Sequence, residues 1–216
     1  MVSRVAIQRN ESILIGSSTT KSRDRVKAQA EVFTASDQVT AMLDLVKNCS
    51  DNIDSRFLEP SCGNGNFLVA ILNRKMSVVA QRYRKQIDYE FYSLVALASI
   101  YGVEICIENV NEARERLKVL IKEWYSDKLN TKKPSDGFYR SVDYILDKNI
   151  VLCDMLNDFE KITVTEFSIP KPYKFKENNY FLADLMGAQN DLVSPKRNPK
   201  PQSFGPIKNY LELANV

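Results

Sequence analysis

The stretch FLEPSCGNGNFL, residues Phe57–Leu68, decides the fold. Phe57 and Leu58 form a short apolar run, Pro60 stops it, Gly63-x-Gly65 turns the chain, and Phe67 and Leu68 begin a helix-like apolar pattern. A strand that runs through a glycine turn into a helix opens a β–α–β unit. Glycines at 63 and 65 let the backbone pass close to a ligand where a Cβ would intrude. A dinucleotide loop would carry a third glycine where Leu68 stands, and Glu59 would repel its pyrophosphate. An acid at this turn suits a cationic ligand.

Outward from this turn the pattern alternates. SDQVTAMLDLVKN (36–48) has apolar residues at helical spacing and a capping Ser36 or Asp37. NFLVAILNRKMSVVAQRYRK (66–85) and DYEFYSLVALASIYG (88–102) read as helices, the second closed by Gly102. GVEICI (102–107) is a second strand. NVNEARERLKVLIKEWYSD (109–127) is a long amphipathic helix with one stripe of Val110, Ala113, Leu117, Leu120, Ile121 and Trp124. A short helix, YRSVDYILDK (139–148), leads to a third strand, NIVLCDML (149–156). EKITVTEFSIP (160–170) gives a fourth strand, and KPYKFKENNYFLADL (171–185) holds one more strand or a short helix. The expectation is an α/β, Rossmann-like fold: a mostly parallel sheet with helices on both faces, incomplete at its C-terminus. Residues 1–30 are an irregular basic arm with six Lys/Arg against two Asp/Glu, residues 31–190 the folded domain, and residues 191–216 a Pro/Lys-rich tail, extended or mobile.

The totals bound the chemistry. A net charge of +3 over 216 residues argues neither for nor against nucleic acid. No apolar run is long enough for a membrane helix, and the N-terminus lacks the apolar stretch of a signal peptide, so a cytoplasmic protein is expected. Cys49, Cys62, Cys106 and Cys153 have no metal-ligand spacing and read as free thiols. There is no histidine, which excludes a Ser-His or Cys-His nucleophile, a histidine base and any histidine metal ligand.

Three expected strands each deliver an acid to the crevice at their carboxyl ends: Glu59, then Glu104 followed by Ile105, then Asp154 followed by Met155. Glu104 is placed to accept hydrogen bonds from ribose hydroxyls and Asp154 from an adenine amino group. Ribose, adenine and a cationic amino-acid end together describe S-adenosylmethionine. FLEPSCGNGNFL resembles the cofactor loop of N6-adenine-specific DNA methyltransferases, (D/E)-P-x-C-G-x-G-x-F-L, carried here by Glu59, Pro60, Cys62, Gly63, Gly65 and Phe67. AEVFTASDQVTAMLDLV resembles the family's upstream segment, in which Thr34 would contact the methionine part of the cofactor, although Ala35 replaces the family's proline. YGVEICIENV and NIVLCDML resemble its second- and third-strand motifs. The resemblance implies a class I S-adenosylmethionine-dependent fold, DNA as partner and a restriction–modification role.

The family clamps the target amino group with (N/D)-P-P-(Y/F) after its fourth strand. SIPKPYKF offers Pro170, Lys171, Pro172 and Tyr173 there; the aromatic and one proline of the pair are kept, but Pro170 has no side-chain acceptor. Pro170, Pro172 and Tyr173 are thus the candidate catalytic positions, in a degenerate clamp. The resemblance implies either an adenine-N6 methyltransferase or modification subunit that works with a recognition or second methyltransferase subunit, or an inactive relative that binds cofactor, DNA or a partner protein. No metal is expected.

Overall fold

The computed structural model describes residues 36–185 and 199–215. The basic arm, Thr34 and residues 186–198 lie outside the described residues. The chain begins with α1 (Ser36–Leu45) and the single turn α2 (Lys47–Ser50). It continues through β1 (Phe57–Glu59), α3 (Asn66–Arg82), α4 (Gln86–Ala98), β2 (Ile100–Glu104) and α5 (Ile107–Leu129). Then come α6 (Phe138–Asn149) and β3 (Ile150–Leu152). Three further strands follow: β4 (Thr163–Lys171), β5 (Lys174–Phe181) and β6 (Ser203–Asn209).

The first three strands pair in parallel in the order β1-β2-β3. β2 is buried along its whole length, and its side chains alternate between two separate cores. Ile100, with Ile150 of β3, joins the helical core of Leu68, Leu72, Val110, Ala113 and Leu117. Tyr101 and Val103 face the other way, with Leu58 and Val151, and meet Ile162, Val164, Tyr180 and Leu182.

That second layer corrects the expected architecture. The fold is not a Rossmann-like parallel sheet with helices on both faces. β4, β5 and β6 form a separate antiparallel sheet, β4-β5-β6, and its residues cover the second face of β1–β3. The connection explains why. Only residues 153–162 separate β3 from β4, and they hold just a 3₁₀ turn, Phe159–Lys161. A parallel crossover needs a dozen or more residues and normally a helix. The chain therefore leaves the parallel sheet and folds across it. Two smaller expectations also change. Gly102 is a strand residue of β2 rather than the end of a helix, and residues 203–209, read as tail, are the edge strand β6.

The far end of the antiparallel sheet rests on the helices. Phe91 of α4 packs its ring against Tyr92, Tyr173, Phe175 and Tyr210, at centroid distances of 5.2, 5.3, 5.2 and 5.9 Å. Such ring pairs add about 0.5–1.5 kcal/mol each beyond area burial. Tyr144 of α6 donates to both oxygens of Glu177 on β5, at 2.9 and 3.0 Å. Within this cluster Glu90 is fully buried. Its carboxylate accepts from Gln86 Nε2 (3.0 Å), the Tyr125 hydroxyl (2.9 Å), the Ser135 N–H (2.9 Å) and the Tyr210 hydroxyl (3.1 Å). One charge is thus satisfied by α4, α5, the loop before α6 and the segment after β6. Glu90→Ala would leave these donors buried without an acceptor and should cost about 3–5 kcal/mol, with a smaller loss for Glu90→Gln, read by urea denaturation.

Lys75 is the opposite case, a fully buried amine on α3. Its Nζ reaches the Ile53 and Ser55 carbonyls and the Ser99 hydroxyl, tying α3 to the starts of β1 and β2. Burial pushes its pKa down to about 7, with Asp54 opposing. Burial, helped by Glu104 and Glu59, pushes the Cys62 thiol up to about 12. Between about pH 7 and the ordinary lysine value the unfolded chain binds the extra proton at Lys75, so stability should rise with pH by up to about 1.4 kcal/mol per unit. Above the ordinary cysteine value the folded chain keeps the Cys62 proton that the unfolded chain loses, which offsets the Lys75 contribution and flattens the trend. Denaturation midpoints measured from about pH 6 to 10 should therefore rise from about pH 7 and level off from about pH 9, and the Lys75→Met variant should lose the rising limb.

Candidate functional site

The carboxyl edge of β1–β3 is built around the glycine turn. Gly65 sits at φ 85°, the left-handed region, and caps α3; a Cβ there would also lie 3.0 Å from the Ala113 Cβ of α5. The back of the turn is pinned from α5. Arg116 donates to the Asn64 carbonyl (2.7 Å) and Asn66 Oδ1 (2.8 Å), and Asn64 Nδ2 donates to Glu112 (2.9 Å). From the sheet side, Glu104 Oε2 accepts the Gly63 N–H at 2.8 Å, and Oε1 accepts the Cys106 N–H at 3.0 Å. Glu104 is only 6% exposed, and Asn109 Nδ2 stands 3.5 Å from the same Oε1.

Glu59 closes the other side. Its carboxyl is half-buried, and desolvation raises its pKa against the opposing Ser61 N–H hydrogen bond. Cys62 lies between the two acids and feels the charge of both. The structure therefore brings Glu59, Cys62, Gly63 and Glu104 together, with Pro60 and Ser61 exposed on the turn and Phe67 packed against the helical core. An edge with two converging carboxylates favours a cationic ligand over a phosphate.

Asp154 is not drawn into this group. Its carboxylate accepts from the Leu156 N–H (2.9 Å), the Asn157 N–H (3.1 Å) and Asn157 Nδ2 (2.7 Å), which hold its pKa below the usual value. It closes its own turn. Met155 packs with the residues around Phe159. Ile105, however, stands 66% exposed directly after Glu104, beside Leu152, the β3 residue paired with Glu104 and 51% exposed. Ile107 and Leu156 are also exposed along this edge. The sequence pattern singles out Ile105 but not Leu152 or Leu156. The apolar run IVL suggests a buried strand, and the signal that could have found them is that this strand is only three residues long.

Pro170, Pro172 and Tyr173 lie elsewhere. Lys171 pairs with Lys174, and Pro172-Tyr173 form the two-residue turn between β4 and β5. Proline first and a positive φ second (58° at Tyr173) is the pattern of a type II turn. The Tyr173 hydroxyl donates to Asp88 at 2.5 Å, and its ring packs on Phe91. These partners stand in α4, whose Tyr92 stacks on Tyr83 just past the end of α3. The glycine turn is at the start of α3, and its 17 residues span about 25 Å. The turn and the expected clamp thus occupy opposite ends of that helix.

Among the described residues no cluster of His, Cys, Asp or Glu could hold a metal ion, and no helix is long and apolar enough to cross a membrane. No protein-family model, curated protein or solved structure matches this chain.

The edge depends on close packing behind it. A Cβ on Gly102 would lie 2.8 Å from Leu68 Cδ1 and 2.9 Å from Cys62 Sγ. Gly102→Ala should therefore destabilise the chain by about 1–3 kcal/mol, measured by urea denaturation. The Cys62 thiol should meanwhile become more accessible to an alkylating reagent, because the clash pushes on the turn itself.

Proposed function

We propose that the chain binds S-adenosylmethionine at the carboxyl edge of β1–β3 and serves DNA adenine-N6 methylation as a subunit that does not itself transfer the methyl group. The observation that carries this reading is the convergence of Glu59 and Glu104 on the glycine turn. A half-buried carboxylate beside a turn is a counter-charge for the cationic amino-acid end of the ligand. Glu104, fixed by the Gly63 and Cys106 N–H groups, keeps lone-pair capacity for a ribose hydroxyl. The exposed Ile105 and Leu152 offer apolar contact for the adenine ring in place of Asp154, whose carboxylate is taken up by its own turn.

Distance supports the non-transferring role. Methylation needs the target nitrogen held in line with the methyl group, within about 3–3.5 Å. Pro170, Pro172 and Tyr173 stand about 25 Å from the turn by the length of α3, and Tyr173 is committed to Asp88 and Phe91. A recognition or second methyltransferase subunit would supply the clamp.

Isothermal titration of the folded chain should give one-to-one binding of S-adenosylmethionine at micromolar strength, weakened about tenfold in Glu59→Gln, the loss of one charge-assisted interaction. Absence of binding by folded protein would overturn the cofactor reading. Labelled methyl transfer to unmethylated bacterial DNA should stay at background with the chain alone, and robust incorporation would remove the non-transferring role.

A further inference from the structure

We propose that the end of the molecule opposite the glycine turn is a docking surface for the phosphate backbone of a single-stranded nucleic acid, formed by the α3–α4 loop and the β4–β5 hairpin. Arg82, Arg84 and Lys85 are exposed in and beside the loop, and Lys171 and Lys174 are exposed on the hairpin. The two segments lie side by side. Tyr173 at the hairpin tip bonds Asp88 and packs on Phe91, and the next residue, Tyr92, stacks on Tyr83 of the loop with centroids 3.8 Å apart. The chain as a whole carries only +3, so five cations on one end are a local concentration.

Two observations point beyond a solvated face. Lys171 and Lys174 are direct cross-strand partners, and like charges facing each other across a ladder destabilise it. A bound anion removes that cost. None of the ion pairs among the described residues uses any of the five cations. The acids of the antiparallel sheet are turned to other partners, Glu166 to Arg56 and Glu177 to Tyr144. Asp88, the carboxylate at this surface, accepts the Tyr173 hydroxyl.

The aromatic residues favour a single strand as the anion. Half-buried Tyr83 and Tyr92 lie among the cations. One step further along β5, Lys176 Nζ sits 4.5 Å over the ring of Phe204, which is 63% exposed. Cations that follow the backbone beside rings on which bases stack are the means by which single strands are held without reading sequence. The surface stands independently of the adenosyl reading, about 25 Å away along α3.

The test uses the full chain and a fluorescently labelled single-stranded DNA of about 20 nucleotides, with anisotropy read from about 50 to 200 mM salt. A variant with Arg84, Lys85, Lys171 and Lys174 all changed to Ala, each exposed, should bind at least tenfold more weakly at low salt. Its log–log salt slope should be shallower by about 3, near 0.7 for each phosphate no longer neutralised. Phe204→Ala should weaken binding several-fold. Three results would overturn the proposal: no binding by the unaltered chain, unchanged binding by the fourfold variant, or tighter binding to duplex DNA or phosphatidylserine vesicles. A fourth would be loss of binding only when Lys21, Arg23, Arg25 and Lys27 of the N-terminal arm are changed to Ala instead. Titrating S-adenosylmethionine into the fourfold variant keeps the two readings apart, since its cofactor binding should equal that of the unaltered chain.

Discussion

A parallel sheet has two apolar faces, and both must be taken out of water. In this chain that constraint falls on β2, whose side chains are buried in both directions. α3 and α5 take one face, as the β–α–β pattern demands. Among the described residues the other face is covered by Val164 and Tyr180 of the antiparallel strands, by Ile162 just before them and by Leu182 at the start of the helical residues 182–185. Most other features of the molecule follow from that arrangement. A sheet lying across a sheet must be anchored where it overhangs. Here the anchors are the aromatic cluster around Phe91 and the Glu90 carboxylate, which gathers donors from four segments.

Much of the first half of the fold is legible in the sequence because period and punctuation agree there. The glycine turn and the stripe of Val110 to Trp124 each form the element they suggest, while the strand expected over GVEICI (102–107) runs instead over Ile100–Glu104, and Ile107 already opens α5. The second half departs from expectation for a definite reason. Alternation identifies EKITVTEF as a strand but says nothing about its partner. The ten residues between β3 and β4 carry that information, being too short for a crossover, but strand patterning does not weigh connection length. Gly102 misleads in another way. A glycine after an apolar helical run looks like a cap, yet here the missing side chain makes room for Leu68 and Cys62 beneath the sheet.

The candidate site is legible in its glycine turn and first two acids, and less so in its third. Glu59 and Glu104 are brought to one place by adjacent strands. Asp154 sits at the right strand end but is followed within three residues by Asn157, and a local turn that satisfies three acceptor positions outcompetes a distant ligand. Glu59 and Glu104 each accept an N–H from the loop that follows, of Ser61 and of Cys106, whereas Asp154 accepts three donors from its own turn and is filled by them. The segment PKPY carries the same lesson. Its two prolines and aromatic match a clamp in composition, but proline followed by a residue at positive φ makes a hairpin.

The prolines have a further consequence for how the molecule behaves among its own copies. β4 and β6 are the outer strands of the antiparallel sheet, and each carries one, Pro170 and Pro206. A proline on an outer strand removes one N–H from the row that another chain would need for strand addition, and Lys171 beside Pro170 adds charge repulsion between copies. β1 and β3, the outer strands of the parallel sheet, are three residues each and too short to template a neighbour. Among the described residues, all four sheet margins thus carry a feature that opposes strand addition by another copy of the chain.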